Sequence, residues 1–427
     1  MSAGTTAPEV LPDNVPAGGT AARRQYFPEL EGIRGVAAVM VVISHVGIST
    51  GLIGSQWFGI PGNGLPGALA NSAEAGLPIF FLLSGMLLYR PFALATITGT
   101  ARPAMAPYFW RRALRILPAY WLMTLVALPL LNRELIHGAW EVIRPLLVLQ
   151  VYQDGALALG MEQTWSIAVE VAFYLALPVA AFYLGRFARR ASDPAARARR
   201  ILVPLAAMIP VGFAFAAYTH WPGMGGGEHV PIQHYWVFEY VGFLASGMAL
   251  ATLSASAEIA PDRVPAAYRA VARWPLACWA GAVAAYLLAC SPLAGAKDTI
   301  DYLPLGPGLV NHVLYLCFAV LAVAPLTVPH TRHRVLEAAL ANPAMRFLGR
   351  ISYGVFLWHV VMQYVYHQFV TGIPFGTGSF TVELAAVLAG SIAAATISYR
   401  LVERPAMSLR PWLGKAPPEP GVATVTP

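Results

Sequence analysis

Arg34 and His45 stand with ten residues between them in the apolar stretch IRGVAAVMVVISHVGIST, Ile33 to about Thr50. Eleven helical steps of about 100° return the two side chains to one face, roughly 16 Å apart along the axis. A guanidinium holds an anion, and a neutral imidazole takes a proton from a hydroxyl. The stripe Arg34–Ala38–Val41–His45 would let a long molecule with an anionic end lie along the helix. Ionisable groups inside a membrane are expensive and are usually kept for function. A satisfied interhelical histidine is the plainer alternative for His45.

Further candidates lie along the chain. Glu170 sits in QTWSIAVEVAFYLALP, where Gln163, Ser166, Glu170 and Tyr174 share one helical stripe. A carboxylate there costs roughly 2.5–3.5 kcal/mol on an insertion scale, so it calls for a partner or a reaction. Arg111, Arg112 and Arg115 cluster in FWRRALRILPAY, with Arg112 and Arg115 on one face. They read either as lipid anchors or as a phosphate clamp, since guanidinium forks match phosphate oxygens. Ser84 in FFLLSG lacks a G-x-S-x-G setting, so Ser84–Gly85 reads first as a close helix contact. Ser352, His359, Gln363 and Tyr366 form another stripe, behind a plausible Asn342 N-cap. His359 is the second deep imidazole, structural or functional. Glu239 and Asn311–His312 fall near the outer boundary, as anchors or as functional groups. Glu403–Arg404 reads as a local ion pair. The cysteines Cys278, Cys290 and Cys317 show no CxxC spacing, so neither a metal site nor a disulfide framework is indicated.

These groups need elements to position them. Of 427 residues, 57% are apolar and 11% charged, with mean hydropathy +0.58. The apolar residues come in long runs, which predicts an all-α polytopic membrane helical bundle. Ten spans are expected near 33–50, 75–94, 113–131, 164–185, 201–219, 236–254, 274–291, 309–328, 345–370 and 380–402. With both termini cytoplasmic, 25 of the 28 basic residues fall on the cytoplasmic side; Arg133, Arg144 and Lys297 do not. That bias follows the positive-inside rule and accounts for the net charge of +7 without nucleic acid. Residues 1–28 read as a disordered cytoplasmic tail without the apolar core of a signal peptide. Residues 29–405 form the membrane domain, and 406–427 a Pro-rich cytoplasmic tail. Of the two long outer loops, Gly51–Glu74 and Asn132–Gln163, the second carries PLLVLQVY (145–152), which re-enters or lies at the interface.

Taken in order, these stretches resemble the integral-membrane acyltransferase family 3, the O-antigen acetylases and macrolide O-acyltransferases. The resemblance rests on Arg34 with His45, FFLLSG (80–85), RRALRILPAY (111–120), WSIAVE (165–170), ISYGVFLWH (351–359) and LVERP (401–405). It covers about Leu30 to Pro405. GLPIFF departs from the family pattern by lacking an acidic residue just before the Phe pair. Many members carry a C-terminal SGNH hydrolase-like domain, for which the chain after Pro405 is too short.

The resemblance implies a multi-pass protein of the inner or plasma membrane. It implies acyl transfer from acyl-CoA, a co-substrate with no other cofactor, to a hydroxyl of a glycan, glycolipid or other glycosylated acceptor. Arg34 and His45 match the family's essential pair, and Arg112 and Arg115 match the pair thought to hold donor phosphates. Glu170 matches a recurrent acidic position, and Ser352 and His359 match a pattern of unsettled role. His45 is expected as general base with Glu170 as the second catalytic group, orienting the imidazole. Ser84, Ser352 and His359 are either acceptor-site or structural groups. The rival reading is a transporter or flippase of a glycan or lipid precursor, but no inverted repeat is visible.

Overall fold

The computed structural model describes residues 27–56, 59–153, 157–223, 230–295, 297–331 and 333–413. Most of both expected tails, residues 1–26 and 414–427, lies outside these residues. Among the described residues there is no strand beyond two isolated bridges, Gly54 with Thr299 and Ser55 with Ile60.

Among the described residues, ten helices of at least 15 residues follow one another: α1 Pro28–Ser49, α2 Gly76–Thr98, α3 Met105–Leu131, α4 Trp165–Ala188, α5 Pro194–Thr219, α6 Val237–Ile259, α7 Pro275–Ala289, α8 Leu305–Val323, α9 Pro343–Val365 and α10 Phe380–Ser398. Each overlaps one expected span. Local chemistry moves several ends. The Asp193 carboxylate accepts from Ala196 N–H at 3.0 Å and Pro194 follows it, so α5 starts before the apolar run does. Asn342 caps α9 in the same way, accepting from Met345 N–H at 2.9 Å.

Eight helices are long and apolar enough to cross a membrane; a ninth span arises if α7 is joined to Ala266–Arg273, from which it bends by 95°. α9 is the exception, because Arg350, Ser352, His359 and Gln363 interrupt its apolar sequence. Every residue from Ile351 to Val361 is nevertheless buried. A helix enclosed by protein answers to its neighbours rather than to lipid.

The loops sort onto two faces. On one, Arg189 donates to the Ala95 and Thr100 carbonyls at 3.2 and 2.7 Å, Arg197 to Ile97 at 3.1 Å, and Arg263 pairs with Asp193 at 2.8 Å. On the other, Asn71 donates to Lys297 and Thr299 carbonyls at 3.0 and 2.7 Å, and Trp236 to Val151 at 3.1 Å. Alternate helix ends thus meet on opposite faces. The stretch 145–152 does not span: Tyr120 and Trp121 of α3 donate to the Pro145 and Leu146 carbonyls at 2.7 and 2.8 Å and hold it beside that helix.

Extensive packing joins α1 to α9, α9 to α10, and α2 to α6. The α2–α6 crossing depends on glycine. A Cβ on Gly85 would lie 2.2 Å from the Leu244 carbonyl oxygen, and one on Gly247 would lie 2.0 Å from that of Leu82. Gly247→Ala must part the two backbones, at about 1–3 kcal/mol. Thermal unfolding in detergent should show that loss, whereas Ser246→Ala, whose hydroxyl bonds only its own helix at Gly242, should stay close to wild type.

Candidate active site

α3 turns Arg112 and Arg115 toward Arg34 of α1, and the three guanidinium groups line one cavity with Ser84, Glu170, Tyr174 and Tyr353. Among the described residues, no carboxylate lies within salt-bridge distance of any of the three. The Nε of Arg34 is buried without a hydrogen-bond partner. Glu170 reaches this cavity from α4. Its carboxylate accepts from Ser84 Oγ at 3.0 Å and from Tyr174 OH at 2.6 Å. Tyr353 of α9 donates to the Ile116 carbonyl at 3.0 Å, which ties the site's fourth wall to α3. The pocket therefore carries surplus positive charge with donors free for an anion.

A second cavity continues from the first, sharing Arg34, Phe80, Glu170 and Tyr353 and adding Phe356. The two measure about 60 and 40 Å³. The Phe356 ring lies 5.8 Å from His359, and His359 meets His45 edge to face at 4.7 Å. The two deep imidazoles of the sequence are thus in contact. His45 Nδ1 bonds the Val41 carbonyl at 3.0 Å, and His359 Nδ1 bonds that of Phe356 at 2.7 Å. A carbonyl only accepts, so Nδ1 carries the proton in each bond and Nε2 keeps its lone pair. His45 is half-buried; His359 is fully buried, with its Nε2 unpartnered. A separate cavity of about 220 Å³, between the start of α1 and His330, Thr331 and His333, is lined by none of these groups.

Against this geometry the comparisons decide the family. The sequence pattern of the acyltransferase domain, family 3, matches residues 27–400. The chain belongs to this acyltransferase family. It is 24% identical over 356 residues to the peptidoglycan O-acetyltransferase OatA of Listeria monocytogenes, covering 79% of this chain and 49% of that one. It is 23% identical over 353 residues to YrhL of Bacillus subtilis, a candidate peptidoglycan O-acetyltransferase, covering 78% of this chain and 48% of that protein. BcsY of Komagataeibacter xylinus, a candidate membrane-bound transacylase, is 25% identical over 415 residues, 90% of this chain and 85% of BcsY. The chain spans about half the length of the first two relatives. No solved structure matches it at a significant level.

Several expectations for this acyltransferase-family chain change. Glu170 does not orient His45: its two oxygens bond Ser84 and Tyr174, and the His45 ring is held by its own helix. Ser84 binds that carboxylate, while Gly85 alone makes the close helix contact. Glu403 does not pair with Arg404. A π-helical turn over Tyr399–Glu403 swings it inward, 1% exposed, to face Arg115 and Arg34, and leaves Arg404 at the surface. Ser352 donates to the Gly349 carbonyl at 2.9 Å, a structural bond. Two buried groups, Glu383 and His367, escaped the sequence reading. Glu383 accepts from Ser49 and pairs with His367 at 3.1 Å, and Gln363 donates to Ser49 at 3.2 Å. Only a polar residue in the first turn of an apolar helix hinted at this network.

Glu170→Gln tests the pocket's electrostatics. The amide keeps one acceptor oxygen and removes the charge facing three guanidinium groups. Stability should fall by about 1–2 kcal/mol, and inorganic pyrophosphate should raise the mutant's melting temperature more than the wild type's. Equal pyrophosphate effects in the two proteins would count against Glu170 as the pocket's counter-charge.

Proposed function

We propose that this chain is a membrane O-acyltransferase that moves an acyl group from acyl-CoA to a hydroxyl of a carbohydrate or glycosylated acceptor, with His45 as general base. The observation that carries the proposal is the layout: Arg34, Arg112 and Arg115 line one cavity, a second, more apolar cavity continues from it to Phe356, and the Phe356 ring lies 5.8 Å from His359, which meets His45. A CoA thioester has that layout: phosphates at one end, a long thin arm, and a reactive carbonyl at the other. The names of OatA and YrhL supply the acceptor class, a glycan hydroxyl. In this reading the protein lies in the inner or plasma membrane, and its Arg-rich loops and both termini face the cytoplasm, the source of acyl-CoA.

The reaction balances on one imidazole. His45 Nε2 takes the acceptor's hydroxyl proton as the oxygen attacks the thioester carbonyl carbon. The tetrahedral intermediate collapses, the C–S bond breaks, and the imidazolium returns the proton to the CoA thiolate. The bond from Nδ1 to Val41 holds the ring in the tautomer this needs. His359 packs against the ring and limits its rotation. Arg112 and Arg115 bind the donor's phosphates, and Arg34 guides the arm toward His45. Glu170 and Glu403 balance the guanidinium groups when no donor is bound, which makes Glu170 a positioning residue.

Release of CoA thiol by purified protein with acyl-CoA and a glycan acceptor tests this. His45→Ala should lower kcat about 10²–10⁴-fold with the fold intact. Arg112→Ala and Arg115→Ala should instead raise KM for acyl-CoA about 10–100-fold each, the worth of a charge-assisted hydrogen bond. Wild-type turnover by a folded His45→Ala protein would remove the general base. Glycan flux without thiol release would replace the reading with a transporter.

A further inference from the structure

The face opposite the Arg-rich loops carries a second group of titratable side chains, which acyl transfer does not use. His220 caps the C-terminus of α5, His234 lies in the short turn Ile232–Tyr235, and Glu239 sits in the first turn of α6. One ligand atom from each lies within 4.8 Å of the other two. Their sequence spacing matches no metal-binding motif; the α5–α6 hairpin alone brings them together.

We propose that His220, His234 and Glu239 form a site for a divalent first-row transition metal, zinc by the chemistry of its ligands. Two imidazoles and one carboxylate are a common zinc set that leaves a fourth position open. The supporting bonds have the form such a site needs. His220 Nδ1–H donates to the Leu303 carbonyl at 2.7 Å, which leaves Nε2 with its lone pair. Metal-bound imidazoles are held in this way by their second nitrogen. Thr219 Oγ1 donates to Glu239 Oε2 at 2.9 Å and orients that carboxylate, which is 1% exposed. A buried carboxylate requires a cation or a dense set of donors. His234 Nδ1, 2.8 Å from Glu239 Oε1, holds one proton between them, and a metal ion would displace it.

Aromatic groups shield the cluster. Tyr302 stacks on His220 at 4.3 Å, and its hydroxyl stands 3.4 Å from His234 Nδ1, beside the open position. His312 faces Glu239 from α8, but its ring is packed against Phe213 and Phe243 at 5.0 and 4.8 Å, so it is not counted as a ligand. Lys297 faces His220 and opposes a cation, so the site should bind less tightly than a fully acidic one. A bound ion would clasp the outer ends of α5 and α6 to the segment around Leu303.

The test uses the full chain in detergent, freed of any affinity tag and treated with a chelator. Titration with Co²⁺ should give one ion per chain with the visible absorption of a four-coordinate site. Zn²⁺ should compete for it, release about one proton per ion at neutral pH, and raise the melting temperature. Loss of a supporting contact weakens metal sites about 10–100-fold, so His234→Ala and Glu239→Gln should each exceed about 100-fold. His333→Ala, on the opposite face, should bind as wild type does. Substoichiometric binding by wild-type protein would overturn the site and leave a hydrogen-bonded His–Glu pair. Stoichiometric binding that survives both Glu239→Gln and His220→Ala would overturn the ligand assignment. The wild-type titration decides the matter even if His234→Ala fails to fold.

Discussion

Three guanidinium groups inside a helical bundle, with no carboxylate at salt-bridge distance among the described residues, constrain everything around them. Charge in a low-dielectric interior needs polar neighbours, and here three helices and a π-helical turn supply them. α4 brings Glu170 and its donor Tyr174, α2 brings the second donor Ser84, and α9 brings Tyr353. The π-helical turn after α10 brings Glu403, whose oxygens bond nothing yet face Arg115 and Arg34. The arrangement offsets the cations without neutralising them. A pocket fully paired with its own carboxylates would have little left for an anionic ligand.

The imidazole end follows a different logic. His45 and His359 take their orientation from carbonyls of their own helices, one and nearly one turn back. That bond is available in any helix and needs no partner from another element. What the bundle adds is contact: α1 and α9 pack closely enough for the two rings to meet edge to face. Arg34 and His45 sit at separate depths along one helix.

Family membership and architecture agree on how much of the chain this involves. The acyltransferase pattern ends at residue 400, within the turn that aims Glu403 at the pocket. OatA and YrhL are about twice the length matched here, and BcsY is matched over most of its length.

The sequence by itself determined the ten helices and their alternation, because apolar run length and the placement of arginine are read directly along the chain. It also determined that Arg34 and His45 share a face, since helical geometry depends only on residue number. Tertiary structure decided who meets whom. Glu170 was legible as an expensive carboxylate, but its choice of Ser84 and Tyr174 over His45 depends on how α2, α4 and α1 cross. Glu403 looked paired with its neighbour until a π-helical turn rotated it by part of a turn. His220, His234 and Glu239 carry no signal as a set, because they meet only where two helix ends fold back on each other. Periodicity is a property of one helix; contacts between helices depend on crossing angles and side-chain volumes that no single segment encodes.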